Sequence, residues 1–555
     1  MKPFAILLLL ISLSVPATAA SLAEARRFAD LRAWPQALAE FDALLARDPA
    51  NADLLIEAAR VYGWADRNRE AAQLYQRVVA VAPSRLPDVR GALAWQLLWS
   101  GQAQAALPMF EAELAARPHD PELRHGQAEA LLALDRLPDA LAGYRAQRAR
   151  FPDDLRARKG EARVLLWMGQ AQAADQAYRA VLQASPGDRE ARFALGRLAN
   201  QRGEHQRAAV AFGTLLRETE DADIRLEWAR ALRWSGDDSG ARAALAPLGT
   251  AAADDLRAAL RRDSPQRVRL HAEAARDSDA LFTRVLAVEA GLALGDRQSL
   301  EASVRQAWLS QRHARLDGRQ AMLGVGARFG EAGAPGGLVF PSLQLGGWDY
   351  DGWQHAAWRA RLKWLPADGW RWDFEAGNTP IENIDAIRSR VRFDYLSAGF
   401  DHRFAPRWQM SLGALGGRFD DGNQRLRLSG RLETRLGEHP RLTLGVEGMG
   451  FADSRPPSPG RGYWSPDHYR ELKLAATVEH DYAGWNLYLK GAVGRLWETP
   501  GARTPLYLVE AAARHPLGDW GELRVYAGYS DSAAWSQSSG GYWRGYYGLT
   551  FNVPF

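Results

Sequence analysis

The chain has 555 residues, 47% of them hydrophobic and 25% charged, which is long enough for more than one domain. Its formal net charge of +4 gives no reason to expect a nucleic-acid partner, and the absence of cysteine excludes disulfides and thiol metal sites.

The first twenty residues have the pattern of a secretory signal peptide. Lys2 supplies a positive start, residues 4–15 are apolar, and Ala17 and Ala19 flank Thr18 as a small-x-small cleavage site. An apolar run of this length is too short to cross a bilayer as a helix. We therefore predict that residues 1–20 are a signal peptide and that the mature protein is exported.

A repeat of 34 or 35 residues fills the region 21–220. In each copy a small residue is followed four positions later by an aromatic residue and twelve positions later by proline, with Glu220 in place of the last proline. Small residues allow two helices to approach closely, and proline ends the second helix. The sets are Ala37/Phe41/Pro49, Ala71/Tyr75/Pro83, Ala106/Phe110/Pro118, Ala140/Tyr144/Pro152, Ala174/Tyr178/Pro186 and Ala208/Phe212/Glu220.

Six copies in phase resemble a tetratricopeptide-repeat array. Such an array presents a concave surface to a partner protein, and it carries no chemistry of its own. We predict that the repeats bind a periplasmic or inner-membrane protein. Residues 221–318 are predicted as divergent helical repeats, a cap and a linker, with helices over 224–234 and 281–293.

The second half of the chain changes to a period of two. Leu426, Leu428 and Leu432 alternate with arginines between residues 425 and 435. Strands with one apolar and one polar face are typical of transmembrane barrels. The predicted fold is therefore an α + β multidomain chain, an α-solenoid followed by an antiparallel transmembrane β-barrel over 319–555. We predict about twelve strands from residue 341, or fourteen if residues 322–328 add a further pair.

The last strand, 543–555, resembles the C-terminal assembly signal of outer-membrane barrels of Gram-negative bacteria. That resemblance implies recognition by the barrel-assembly machinery and contact with outer-membrane lipid. The alternative is a half-buried strand of a soluble sandwich. The residues that match the signal are Tyr546, Gly548, Phe551, Val553 and Phe555.

If the leucines of this alternating pattern face outward, the inward face of the barrel is charged and net basic. It predicts either a hydrophilic conduit or an internal network of salt bridges that closes a narrow barrel. The candidate lumen residues are Arg359, Arg361, Arg390, Arg392, Arg427, Arg431, Glu433 and Glu471.

Aromatic residues cluster where the outer rim is expected. Aromatic faces beside charged groups suit pyranose rings, whereas aromatic girdles also occur in barrels that bind no sugar. The candidate rim aromatics are Tyr463, Trp464, Trp497, Trp535 and Trp543.

Signal peptide, repeats and barrel together resemble the exopolysaccharide-secretion porins of the cellulose-synthase and poly-N-acetylglucosamine export systems. The most specific local match is the stretch 462–469, GYWSPDHY. The resemblance implies an outer-membrane exporter of a polysaccharide, although the predicted barrel is smaller than the sixteen strands of those porins. Small YaiO-type barrels are a second similar family. The alternative function is a closed-barrel scaffold or receptor.

No motif predicts catalysis, a cofactor or a metal site. His468, Asp467 and Ser465 form the only local cluster, without a nucleophile motif such as Gly-x-Ser-x-Gly. We therefore predict that the protein is not an enzyme, with a barrel-borne hydrolase as the less favoured alternative. Residues 420–423 predict a tight hairpin rather than a calcium loop.

Overall fold

A computed structural model describes residues 21–262, 266–295, 297–437, 439–455, 462–499, 503–532 and 542–555. The predicted signal peptide, residues 1–20, lies outside the described residues. The chain divides into two compact units, one ending at Arg192 and one comprising Phe193–Phe555.

Helices occupy the described chain up to residue 262. None of the helices in the described parts of the chain is long and apolar enough to cross a membrane. The helices are α1 Leu22–Asp30, α2 Trp34–Arg47, α3 Ala52–Trp64, α4 Asn68–Val81, α5 Leu86–Trp99, α6 Ala103–Ala116, α7 Pro121–Ala133, α8 Leu137–Arg150, α9 Leu155–Trp167, α10 Ala171–Ala184, α11 Arg189–Gln201, α12 His205–Glu218, α13 Ala222–Trp234, α14 Asp238–Leu245 and α15 Ala251–Arg262.

The residues that define the repeat are the ones that pack between its helices. Ala106 and Ala140 are fully buried, as are the aromatic side chains of Phe110 and Tyr144. A methyl group added at Gly160 would lie 2.3 Å from the Tyr144 ring, so the next helix fits only because it has no side chain there. The predicted repeat-like helices are therefore confirmed.

Sixteen strands form a closed antiparallel barrel in which each strand pairs with the next and β1 pairs with β16. They are β1 Arg267–Asp277, β2 Leu281–Ala293, β3 Gln298–Gln311, β4 Ala314–Ala327, β5 Leu338–Tyr350, β6 Trp353–Leu365, β7 Trp370–Pro380, β8 Arg392–Ala405, β9 Trp408–Phe419, β10 Gln424–Arg435, β11 Arg441–Asp453, β12 His468–Tyr482, β13 Trp485–Thr499, β14 Arg503–Pro516, β15 Glu522–Ser530 and β16 Arg544–Pro554.

The predicted strand number of twelve to fourteen is wrong, and so is the helical cap over 267–318. The barrel begins at Arg267 rather than 319, and the predicted helix over 281–293 is strand β2. Strand β2 has apolar residues on both faces, because Leu281 and Val285 pack inside the barrel. Alternation of polar and apolar residues is therefore weak in this region.

The outer face of the barrel is apolar. In β10, Leu426 and Leu428 are more than half exposed, whereas the alternate residues Arg425 and Arg427 line a cavity inside the barrel. An apolar exterior around a polar interior is what a membrane-spanning barrel requires.

The two ends of the barrel differ. Strand direction alternates, so connections from odd- to even-numbered strands lie at one end, here called the plug end. Connections from even- to odd-numbered strands lie at the other end, where β1 starts and β16 finishes. We call this the helix end, because helices of the same compact unit contact it.

Helix α12 rests on the helix end through a carboxylate. Asp368, in the turn between β6 and β7, accepts hydrogen bonds from the backbone N–H groups of Gln206 (2.7 Å) and Arg207 (3.0 Å). No side chain of the preceding residues caps this helix, so a residue of the barrel satisfies its first N–H groups. Burial raises the pKa of the Asp368 carboxyl, and the two N–H donors oppose that shift.

Candidate functional site

The connection between β7 and β8, residues 381–391, folds into the barrel and is here called the plug segment. It contains the short helix α16, Ile384–Arg388, capped by the Asn383 side chain, which accepts from the N–H of Ala386 at 2.7 Å. Ile384 and Ile387 are buried in one cluster with inward residues of β2 to β6. Helix α16 contacts β4 and β3, the third and fourth strands from β7, so the segment lies inside the barrel against this part of the wall.

A polar latch fixes the plug segment to the barrel wall at β3 and β5. Glu382 forms a two-pronged ion pair with Arg305 of β3, with Nη2 of the arginine 2.7 Å from Oε2. The hydroxyl of Tyr350 in β5 donates to the same carboxylate at 2.6 Å. Bidentate pairing of this kind is directional, so the latch sets the position of the plug.

A second segment, residues 462–467, closes the plug end further and is here called the roof segment. Gly462 lies against the start of α16, where a methyl group would be 2.7 Å from the backbone nitrogen of Ala386. Tyr463 stacks on Phe419 of β9 with ring centroids 4.1 Å apart. Trp464 donates its indole N–H to Glu498 at 3.0 Å.

Two predicted rim aromatics therefore lie inside the barrel rather than on an exposed rim. Tyr463 and Trp464 are buried among inward aromatic residues. Trp497 and Trp543 lie elsewhere: Trp497 borders an outward groove with Leu426 and Leu428, and Trp543 stacks on Tyr529. Trp535 lies outside the described residues.

The fully buried side chain of Asn423, in the turn between β9 and β10, binds both ends of the connection between β11 and β12 that contains the roof segment. Its amide donates to the Ser465 hydroxyl at 3.3 Å and accepts from the Ser454 hydroxyl at 3.2 Å and the Arg455 N–H at 3.1 Å. Asn423 ends the tight turn over 420–423, where Gly422 has a φ of +85°. The roof segment is therefore held by polar groups as well as by packing.

Most of the predicted lumen residues form short-range ion pairs. Arg361 pairs with Glu375 at 2.8 Å, and Arg359 lies 3.9 Å from the same carboxylate. Arg431 pairs with Glu433 at 3.4 Å. The remaining pair is Glu471 with Lys473, at 2.7 Å.

Two predicted lumen arginines lie elsewhere. Arg390 is exposed in the plug segment at a φ of +56°, because the chain turns there before β8 begins. Arg392 bonds to Asp394 and to His355, on the strand face opposite Tyr395. The prediction that they face the lumen is wrong. Arg390 precedes β8, and the side chains of β8 that line the lumen include Phe393 and Ser397. Arg392 is therefore one residue out of phase.

Two chambers lie along the lumen. The outer chamber, below the plug and roof segments, has a volume of about 540 Å³ and is lined by Arg305, Arg359, Glu382 and the ring of Tyr463, among others. The inner chamber has a volume of about 450 Å³. Arg427 and Leu415 line both chambers, so the two spaces meet at these side chains.

The residues of the predicted assembly signal have distinct environments. The Tyr546 hydroxyl donates to Glu510 at 2.6 Å, and a methyl group at Gly548 would lie 2.4 Å from the Tyr526 hydroxyl. Phe551, Val553 and Phe555 belong to the end of β16, where Phe551 pairs with Leu270 and Val553 with Val268 in register, and Phe555 is exposed.

The local cluster of His468, Asp467 and Ser465 is not a catalytic arrangement of the usual kind. Ser465 is buried and accepts from Asn423, whereas His468 is exposed at the start of β12. Within the described ranges, no group of three or more His, Cys, Asp and Glu side chains is arranged to hold a metal ion.

His205, the first residue of α12, lies beside the Asp368 contact. Its Nδ1 is 2.7 Å from the Asn200 side-chain oxygen, and its ring packs on Trp234 with centroids 5.3 Å apart. Burial, with the nearby Arg403 guanidinium, lowers the pKa of His205 to about 4. The neutral imidazole is therefore the form that fits the helix end.

This lowered pKa predicts that the helix contact weakens in acid. As the pH falls from about 6.5 towards 4, the unfolded chain takes up the proton first, so stability falls within that window and is unaffected by His205 above it. We expect the thermal unfolding midpoint of the helices to fall over this range more in the wild type than in His205→Gln. Parallel pH profiles for the two proteins would contradict the assignment.

The plug segment, the latch and the Asp368 contact were all missed from the sequence. For the plug segment a usable signal was present: Asn383 followed by Ile384 and Ile387 has the cap and spacing of an amphipathic turn of helix inside a loop. The partners of Glu382 are distant in sequence and gave no local signal.

Comparison with known proteins gives no assignment from sequence. No family model matches the chain. No curated protein matches it.

Solved structures match parts of the chain. One is a bacterial polysaccharide outer membrane secretin, 13% identical, with a TM-score of 0.43 over 53% of this chain and 100% of that one. Another is a tetratricopeptide-repeat protein from Parabacteroides merdae, 17% identical, with a TM-score of 0.33 over 38% of this chain and 85% of that one. A thermophilic tetratricopeptide-repeat protein from Thermus thermophilus is 22% identical, with a TM-score of 0.27 over 31% and 96% of the two chains.

Proposed function

We propose that this protein is a gated outer-membrane conduit that exports an extracellular polysaccharide in a Gram-negative bacterium. The helical repeats lie in the periplasm and recruit a periplasmic or inner-membrane protein. The barrel carries the polymer outward, and the plug segment closes it at rest. The protein acts as a pore and not as an enzyme.

The observation that carries this proposal is a sixteen-stranded barrel with a loop folded into its lumen. Sixteen strands leave room for an aqueous channel. The loop is held by the ion pair of Glu382 with Arg305, by Tyr350 and by an apolar cluster, and we propose that it obstructs the channel. Polar side chains and aromatic rings line the space below it, which suits the hydroxyl groups and ring faces of sugars.

The latch gives a direct test of whether the plug can move. Changing Glu382→Gln removes the charge from bonds worth about 1.5–3 kcal/mol, so the open population should rise about 10- to 100-fold. We expect amide hydrogen exchange of residues 381–391 to quicken by a similar factor, since the Val391 N–H is hydrogen-bonded within the segment, to the Ala386 carbonyl.

The matched control is Asp385→Asn, which makes the same charge change on the same segment. Asp385 is exposed, so exchange of the plug segment should stay at the wild-type rate. Equal exchange in the wild type and in Glu382→Gln would argue against a latch.

A closed-barrel scaffold is the second candidate, favoured by the burial of Tyr463, Trp464 and Ile387 at the plug end. In that function the barrel anchors the repeats and conducts nothing.

Polymer secretion separates the two functions. In the bacterium that encodes this protein, we expect deletion of the gene to abolish one extracellular polysaccharide and to leave it accumulating in the periplasm. Wild-type protein should restore secretion. Restoration by a variant whose barrel cannot conduct would support the scaffold instead.

A further inference from the structure

Arg427 stands out because no described residue balances its charge. Its two neighbours across the sheet are Leu415 in β9 and Phe451 in β11, which offer no acceptor. Throughout the described part of the chain, no hydrogen bond or ion pair to its guanidinium is found. The side chain is nevertheless partly buried in the lumen.

The other inward arginines of the same strand are paired. Arg425 lies directly across from Asp453, and both of its bonds to that carboxylate are 2.8 Å long. Arg431 has Glu433 and the Ser411 hydroxyl, each at 3.4 Å. An unbalanced guanidinium in a low-dielectric space is costly, so Arg427 is suited to an anion supplied from outside.

The surroundings of Arg427 define what that anion is attached to. Arg427 lies where the two chambers meet, and the outer chamber has the volume of a small-molecule site, which is about 300–1,000 Å³. Six arginines line that chamber against three carboxylates, Glu273, Asp277 and Glu382. Aromatic side chains, among them Phe419 and Tyr463, make up part of the apolar lining of that chamber.

We infer that the chambers bind a saccharide that carries carboxylate groups, with Arg427 as its principal anion contact. A guanidinium pairs with a carboxylate through two parallel hydrogen bonds, and aromatic rings cover the apolar faces of pyranoses. Arg359 lines the same chamber, beside the Tyr395 hydroxyl and 3.9 Å from Glu375, and we expect it to be a second contact. The inference deepens the proposed function, on which it rests for the source of the ligand.

Titration of the full-length protein in detergent with trigalacturonate tests the site, with intrinsic tryptophan fluorescence or calorimetry as the readout. We expect the wild type to bind this acidic trisaccharide and to bind the neutral cellotriose at least about tenfold more weakly. Arg427→Gln should weaken trigalacturonate binding about tenfold or more and leave cellotriose unchanged. Arg431→Gln, on the same strand face, should bind both sugars as the wild type does.

Three results would overturn the inference: no binding of trigalacturonate by the wild type, equal binding of the two sugars, or equal losses in Arg427→Gln and Arg431→Gln. Inorganic phosphate and sulfate serve as competitors, and displacement by either alone at equal concentration would also overturn it. If the protein does not bind trigalacturonate but secretion still depends on it, the protein is a conduit for a neutral polymer. If the protein binds trigalacturonate but deletion of its gene does not change secretion, the binding site is supported and the export function is rejected.

Discussion

Replacing residues 382–390 with a short Gly-Ser linker is expected to turn the barrel into an open pore. The ends of the segment already meet, since the Ile381 N–H donates to the Val391 carbonyl at 3.3 Å, so a short linker can join them. The change removes the latch and the apolar cluster of α16 together. Cells that produce the variant should become sensitive to large antibiotics that the outer membrane normally excludes.

The control for this replacement is Arg388→Ala, at an exposed position of the same segment, which should leave antibiotic resistance unchanged. Two assays check that the variant has assembled: exposure of the protein on the cell surface, and migration of the barrel as a folded species on gels run without heating. An assembled variant with wild-type resistance would show that the plug segment is not what closes the lumen.

Tyr144→Ala should be the most destabilising single change in the repeats. The ring is fully buried against Gly160, and its hydroxyl donates to Glu129 at 2.6 Å. Removing a buried aromatic ring lowers the free energy of unfolding by about 3–5 kcal/mol. Because each repeat is stabilised by its contacts with the adjacent repeats, those repeats are destabilised as well. We expect the helical circular-dichroism signal to melt at a clearly lower temperature while the barrel signal is unchanged.

Tyr144→Phe separates packing from hydrogen bonding. It keeps the ring and loses one hydrogen bond, so it should cost about 1 kcal/mol. If the two variants melted at the same temperature, the ring would not be the element that holds these helices together.

The fold was predictable where local pattern and burial agree. The repeat follows from the spacing of residues such as Ala140 and Tyr144, both fully buried. Strand β10 follows from its strict alternation of arginine and leucine. Strand β2 was predicted as a helix because part of its inner face is apolar: Leu281 and Val285 share a cluster with Ile384 and Ile387, which lie about a hundred residues later in the chain.

The types of residue that line the site could be predicted from the sequence, but the contacts between them could not. Arg427 and Arg431 both follow from the alternation. Arg431 has Glu433 two residues further along its own strand. In contrast, only cross-strand register shows that Arg427 lies between Leu415 and Phe451. Tyr463 and Trp464 were singled out from the sequence as candidate site residues, although the sequence could not show that their segment turns into the barrel. Long-range pairs such as Arg305 with Glu382 have no local signal.

Single-channel recording of the full-length protein in a planar bilayer tests the gated conduit most directly. We expect the wild type to be closed with rare openings, and the variant with residues 382–390 replaced to show steady conductance of a size expected for a sixteen-stranded pore. A silent replacement variant would contradict the gated conduit, because the roof segment or the strand wall, and not the plug segment, would then close the lumen. A wild type that conducts steadily would equally contradict a plug that closes the barrel at rest.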